Sequence, residues 1–547
     1  MWFDHWVAAI LVPVAVWILL SGLDDLFIDF VFFFRKRREF VFPAETELAH
    51  APQRRIAILL PLWHEHAVIE QMLRHNLSVV RYGNYDIFVG VYPNDPLTME
   101  AVKRVECDDA RVHSAVCPHD GPTSKGDCLN ATYRRMLEYE ARHGIDFEIL
   151  MTHDAEDLIH PESLRLINWF SRDHQMVQIP VLPLATGLDE WTHGLYCDEF
   201  AEFQLKDIPV RQQLRGFLPS TGVGTGFERS ALEDLRRRHN GKLFDPECLT
   251  EDYENGFRMH AAGYHQTFVP IHFQAQQPVA TREYFPKQWR AAIRQRSRWI
   301  AGIALQGWQH HGWRAPAWQR YWFWRDRKGL VGNLISPLAN VLFFYWLVCC
   351  GAAAEHIPWR FAALMPASLW PMCLIATWIS LLQAGVRMHL SARVYGWRFA
   401  AGVPLRVVWG NIINCAATAE AVRQFLAARV RRKELAWRKT EHVYPGAPVH
   451  IHTRPRLGEV LVRLRLVSMT ELEDALRLKA PGQRLGEYLT AIHRITQENL
   501  EQALSSQAGQ PVEAWTAEFS DSRFPAGGNR NSESLLPEHS HHPSSPV

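Results

Sequence analysis

Three stretches of the chain contain no Asp, Glu, Lys or Arg: Trp6–Leu23, Leu330–Ala354 and Phe361–Val386. A helix of about 20 apolar residues crosses the hydrocarbon core of a bilayer. All three runs therefore read as membrane-spanning helices; a buried core helix is the competing reading, strongest for the first and shortest run. Whole-chain composition conceals this, because 47% hydrophobic residues and a net charge of +1 over 547 residues resemble a soluble enzyme. The near-zero charge argues against a nucleic-acid binder, which needs clustered excess cation.

Basic residues orient the spans. Asp4 precedes the first run and Arg35-Lys36-Arg37-Arg38 follows it, the reverse of a cleaved signal peptide. This run is expected to be an anchor, with Arg35 onward in the cytoplasm. Arg325, Arg327 and Lys328 precede the second run, Arg387 and Arg393 follow the third, and Glu355–Arg360 is left as a hairpin on the far side. Val407–Ala419 is too short to span and lies between Arg406 and Arg423. It is expected at the interface or packed on the other helices. The cysteines include no Cys-x-x-Cys pair, which suits reduced thiols in a cytoplasmic setting.

Residues 54–325 follow another pattern. Ile56–Leu60 is a short apolar run ended by Pro61, then come a helical stretch (Val68–Val80), a strand (Asp86–Val91), a helix (Leu129–His143) and a strand (Phe147–Met151). This alternation predicts a parallel α/β sheet with ligands at the carboxyl ends of its strands. Acidic residues collect there: Asp95, then Asp154-Ala155-Glu156-Asp157, and later Thr250-Glu251-Asp252. Asp154 and Glu156, spaced i and i+2, can share a divalent cation such as Mg2+ or Mn2+; the cluster would also serve as a solvated turn capping the next helix. There is no Walker A loop and no dinucleotide glycine fingerprint, so ATPase and dehydrogenase readings lack support. Gln295-Arg296-Ser297-Arg298-Trp299 precedes the membrane, where Arg and Trp also serve as plain interfacial anchors. Ser220–Gly226 reads as a flexible glycine turn.

Taken in order, Pro61-Leu62-Trp63-His64-Glu65, Asp95, Ser124-Lys125-Gly126, Asp154-Ala155-Glu156, Thr250-Glu251-Asp252 and Gln295…Arg298-Trp299 resemble the motif series of processive-type family-2 inverting glycosyltransferases. That group contains cellulose, chitin and hyaluronan synthases. The resemblance covers residues 54–300 and implies a GT-A-like α/β catalytic domain. It implies that Glu65, Asp95 and Lys125 hold the uridine and ribose side of a UDP-sugar donor. Asp154 and Glu156 would carry Mg2+ or Mn2+ and the diphosphate, with Glu156 departing from the family's Asp-x-Asp. Asp252 would be the general base on the acceptor hydroxyl, while Gln295, Arg298 and Trp299 would line the acceptor site and clamp the diphosphate. The residue types suit that chemistry: a carboxylate accepts the hydroxyl proton, and cationic groups stabilise the departing diphosphate.

Near the C-terminus, Arg456–Lys479 repeats as Arg484–Gln507 at an offset of 28 residues. Both copies begin Arg-Leu-Gly-Glu and continue through a Leu-x-x-Ala-Leu helix, and Ser468 with Glu471 fits a capping box. A plain helical-hairpin repeat is one reading. The segment also resembles the cyclic di-GMP-binding N-terminal module of type II secretion ATPases, which implies ligand contacts from Arg456, Leu457 and Gly458 and from Arg484, Leu485 and Gly486. Lys479 stands for the family's Gln, and Arg465 and His493 for its Gly.

The expected organisation is an anchor over 1–40, a transferase domain over 50–328, and a membrane hairpin with interfacial segment over 330–428. The repeat domain follows over 450–510, then a Ser-, Pro-, His- and Glu-rich tail over 511–547, expected to be disordered. In the tail, His539, His541 and His542 offer only adventitious metal binding. This order resembles the bacteriophage N4 adsorption protein B family over about residues 1–510. That implies a bacterial inner-membrane transferase, in contact with membrane lipid and switched by cyclic di-GMP. It would act on a polysaccharide or lipid-linked acceptor and work with an outer-membrane export partner. Two other readings stay open: a non-processive transferase loading a polyprenyl phosphate, and a non-catalytic cyclic di-GMP receptor or scaffold.

Overall fold

The computed structural model describes residues 2–35, 40–238, 241–274, 277–357, 369–431, 444, 457–464, 466–479 and 483–509. The chain divides into two compact units, one of residues 1–274 with 278–447, the other of 448–547 with 275–277.

Eight of the strands are, in chain order, β1 (Ile56–Pro61), β2 (Tyr85–Val91), β3 (Val112–Val116), β4 (Ile149–Thr152), β5 (Met176–Gln178), β6 (Val181–Pro183), β7 (Thr225–Glu228) and β8 (Gln266–Phe268). Seven of them form one sheet in the order β3-β2-β1-β4-β7-β5-β8. β1 lies parallel between β2 and β4, and its alternate residues serve different layers, as the two-residue period of a strand requires. Ile56, Ile58 and Leu60 pack with Ile69, Met72 and Leu73 of the helix Ile69–Val79. Ala57 and Leu59 pack with Leu129, Tyr133 and Met136 of the helix Lys125–His143. A sheet covered by helices on both faces is the expected home of such apolar strands. The sheet is parallel apart from β7, which runs antiparallel to both β4 and β5. The expected glycine turn accounts for this: Gly222 and Gly224 have φ of 79° and 62°, reversing the chain just before Thr225 enters β7.

Among the described residues, three helices are long and apolar enough to cross a membrane: His5–Phe34, Ala317–Ala354 and Leu369–Tyr395. They leave Phe30, Val341, Val348 and Trp378 exposed, a surface suited to lipid rather than water. The first helix runs Trp2–Phe34, past the end of its uncharged sequence, because its acids are paired. Asp24 meets Arg325 and Lys328, each at 2.8 Å, and Asp29 meets Lys206 at 2.9 Å. The basic stop Lys36–Arg38 and residues 358–368 of the expected hairpin and third run lie outside the described residues. Val407–Ala419 belongs to a longer helix, Val403–Arg431, which bonds to its neighbours through Asn411–Asn340 and Thr418–Asn333.

In the second unit the repeat reappears in the packing. Leu461, Val467, Leu472 and Ala475 of the first copy share a core with Leu489, Ile495, Leu500 and Ala503, their counterparts 28 residues on. Ser468 makes the expected capping box with Glu471. The expected tail, 511–547, lies outside the described residues.

Candidate active site

At the end of β1 the chain bends sharply at His64, whose φ is 54°. Its N–H donates to Asp95 Oδ2 at 2.6 Å, and the next N–H, of Glu65, donates to Thr98 Oγ1 at 3.0 Å. Asp95 also caps the helix Pro96–Asp108, accepting from the Thr98 N–H. These bonds aim the Glu65 segment into a cavity of about 1250 Å³. Glu65, Lys125, Asp154, Glu156, Asp252, Gln295, Arg298 and Trp299 all line that cavity. Asp95, 2% exposed, stays behind its wall and acts on the backbone.

Ser124 caps the helix Lys125–His143 and sets Lys125 at its first turn. Lys125 Nζ lies 2.7 Å from Asp154 Oδ1. Burial works against the ammonium, but Asp154, Glu251 and Asp252 outweigh it and hold the lysine above its ordinary range. Behind Asp154, the buried Asp157 accepts from His153 Nδ1 at 2.7 Å and from the Asp154 N–H at 2.9 Å. Glu283, on the short strand Thr281–Glu283 beside β6, faces the same acids. Burial first, and then Asp157, Glu156 and Asp154, push its carboxyl well up. Buried carboxylates facing one another with Lys125 as compensation form a hard oxygen donor set, which suits Mg2+ or Mn2+.

Opposite them, Asp252 sits in the first turn of the helix Glu251–Ala261 and accepts from the Tyr253 N–H at 2.7 Å. Tyr253 is itself anchored: its hydroxyl donates to Asp326 Oδ2 at 2.6 Å, and Arg211 forks onto the same carboxylate. Burial raises the Asp252 carboxyl, while Lys125 and Arg298 partly offset that. Burial, with Asp252 adding to it against Lys125, pushes Glu251 up to about 7.

The helix Trp289–Trp299 supplies the third wall. Gln295 Oε1 and Arg298 Nε are buried without a hydrogen-bond partner among the described residues. Orphaned buried polar atoms are uncommon, and both residues line the cavity, which marks them as ligand-facing. Trp299 is packed edge-on against Tyr196 at 6.1 Å.

Of the repeat residues, Arg456 and Arg465 lie outside the described residues. Leu457 and Leu485 pack at the edge of the repeat's core. Gly458 and Gly486 are buried, and a Cβ on them would meet Leu472 and Leu500 at 2.8 and 2.7 Å. Arg484 precedes the helix Leu485–Ala491 with 85% of its side chain exposed. His493 has φ of 55°, a conformation natural to glycine.

Glu283 is absent from the residues the sequence points to, Glu251 has no role there, and Gly222 is present only as part of the glycine turn. Glu251 stood inside the Thr250-Glu251-Asp252 motif, and the positive-φ turn was legible in its glycines. Glu283 carries no local signal, because only the pairing of its strand with β6 brings it to the acids.

Residues 52–302 match the family described as Glycosyltransferase like family 2. The chain is 36% identical over 540 residues to bacteriophage adsorption protein B of Escherichia coli (strain K12), covering 92% of this chain and 72% of that protein. The same figures hold for bacteriophage N4 adsorption protein B of Escherichia coli O157:H7. Among solved structures, a mannosyltransferase from Pyrobaculum calidifontis in complex with GDP-Man and Mn2+ aligns with a TM-score of 0.43 and 16% identity, over 74% of this chain and 99% of that one.

Proposed function

The chain belongs to the bacteriophage adsorption protein B family, built on a family-2 glycosyltransferase domain that uses a nucleotide sugar, and from that premise we propose an inverting, metal-dependent transferase making a cell-surface polysaccharide. One observation carries this reading. The cavity lined by Lys125, Asp154, Asp252 and Arg298 continues between apolar helices, past Leu11, Val14, Leu342, Trp346 and Ile379. A transferase whose cavity opens among membrane helices is suited to an acceptor held at, or passed into, the membrane.

The donor is a UDP-sugar, its nucleoside side held by Glu65 and Lys125, with Asp95 fixing the bend at His64. Asp154 and Glu156 would hold Mg2+ or Mn2+, which supplies Lewis-acid stabilisation of the diphosphate. Asp252 takes the proton of the acceptor hydroxyl as the oxygen attacks the anomeric carbon. Arg298 meets the charge growing on the departing UDP. A single in-line displacement inverts the anomeric configuration. The acceptor is a growing polysaccharide or a lipid-linked sugar, and a relative named for phage adsorption accords with a product displayed at the cell surface.

The basic residues Arg325, Arg327, Lys328, Arg387 and Arg393 flank the two later uncharged runs and support a multi-pass inner-membrane protein with both soluble parts in the cytoplasm. There the repeat binds cyclic di-GMP and sets the rate, and an outer-membrane partner exports the product. The test is UDP release by the purified full chain across a UDP-sugar panel with Mn2+ or Mg2+, with and without cyclic di-GMP. Turnover lost in Asp252→Asn supports the reading, and no turnover with any donor rejects it. Single-sugar products on gels would favour loading of a polyprenyl phosphate instead.

A further inference from the structure

Outside the transferase centre, Glu254, His310 and His311 bring three ligand atoms within 4.8 Å of one another. Glu254 lies in the helix Glu251–Ala261. The two histidines end the helix Gly307–His311, which continues the helix Trp289–Trp299 through the π-helical stretch Ile300–Gln306. His311 Nε2 stands 2.8 Å from Glu254 Oε2 and His310 Nδ1 4.0 Å from the same oxygen. Those spacings bracket the edge of about 3.3 Å between ligands around a tetrahedral ion with bonds of about 2.0–2.1 Å.

The surroundings are those of a supported ligand set. Glu254 is buried, and its other oxygen accepts from Arg258 Nε at 2.8 Å, which fixes the carboxylate and leaves Oε2 to the imidazoles. The His311 ring is held by Phe257 at 4.3 Å and stacked on Phe323 at 6.2 Å. His310 is exposed, giving an ion an entry path and an open coordination position. Two imidazoles and one carboxylate select a borderline ion of the Zn2+ class, unlike the all-oxygen set at Asp154 and Glu156.

We propose that Glu254, His310 and His311 bind a Zn2+-class ion that cross-links the helix carrying Asp252 to the helical segment carrying Gln295, Arg298 and Trp299. The test uses the full chain in detergent, stripped with chelator and titrated with Co2+ as a spectroscopic probe. One equivalent with visible d–d absorption is expected, displaced by Zn2+, retained in Asp154→Asn and lost in the His310→Ala/His311→Ala double variant. Zn2+ should also raise the unfolding temperature of the wild type by several degrees and leave that of His310→Ala unmoved. An unchanged Co2+ stoichiometry in the double variant, as tail histidines alone would give, overturns the proposal, as does loss of the equivalent in Asp154→Asn.

Discussion

Asp252 Oδ2 occupies the space in front of Gly222: a Cβ added at residue 222 would stand 2.5 Å from it. Gly222 also has φ of 79°, where an L side chain costs roughly 1–2 kcal/mol. The turn before β7 thus closes on the proposed base only because residue 222 has no side chain.

Gly222→Ala should therefore lower kcat for UDP release at least tenfold while far-UV circular dichroism stays the same. Gly263→Ala separates strain from contact. Its φ is 85°, yet nothing lies within 4 Å of an added Cβ, so that variant should lose some thermal stability and keep its kcat. Equal losses of kcat in both variants would reject the contact argument.

A buried base with a raised pKa predicts a shape for the pH profile. The Asp252 carboxyl is raised by burial, and the base must be ionised to accept a proton. Activity should accordingly fall as pH drops through a value above the ordinary aspartate range of about 4. Lys125 holds down both Asp252 and Glu251, so Lys125→Met should move the acid limb of kcat/KM to higher pH. A limb that stays in place, or moves down, would contradict the assignment.

What the sequence makes legible follows from which signals are local. Ile56–Leu60 is visible as a strand because both faces are buried and the run is continuous. Asp154 and Glu156 are visible because the strand before them ends cleanly. Asp95 is implied as a donor-site residue by the family resemblance, while Asp-Pro at a helix start also reads as a cap with proline at N1, and that capping is present. β7 is four residues long, too short to carry a period, and its antiparallel direction depends on partners distant in the chain. The length of the first helix was hidden for the same reason, since Asp24 and Asp29 look like an end until Arg325, Lys328 and Lys206 are placed beside them.

Lys206 gives a prediction about stability. Its ammonium, 3% exposed, lies 2.9 Å from Asp29 and 2.6 Å from Glu202. Gln383 donates to Asp29, and Arg387 donates to Glu202. Removing one partner of a buried ion pair costs about 3–5 kcal/mol. Lys206→Met should lower the thermal inactivation temperature markedly. Asp29→Asn should do less, because Lys206 retains Glu202 and the amide oxygen still accepts. The reverse order in a thermal shift assay would show that the charges are not what holds this junction.

The cyclic di-GMP role proposed for the repeat domain can be tested apart from its packing. Gly486 is backed by Leu500, so Gly486→Val should unfold that half of the repeat and abolish cyclic di-GMP binding with it. Arg484 is exposed, with Glu487 3.8 Å away, and its guanidinium is free of any packing duty. A charge-assisted bond to a phosphate contributes about 1.5–3 kcal/mol, which corresponds to roughly 10- to 100-fold in affinity. Arg484→Ala in the full chain should weaken cyclic di-GMP binding by that factor in calorimetry while thermal unfolding is unchanged. Wild-type affinity in this variant would mean that the repeat does not read the nucleotide through Arg484.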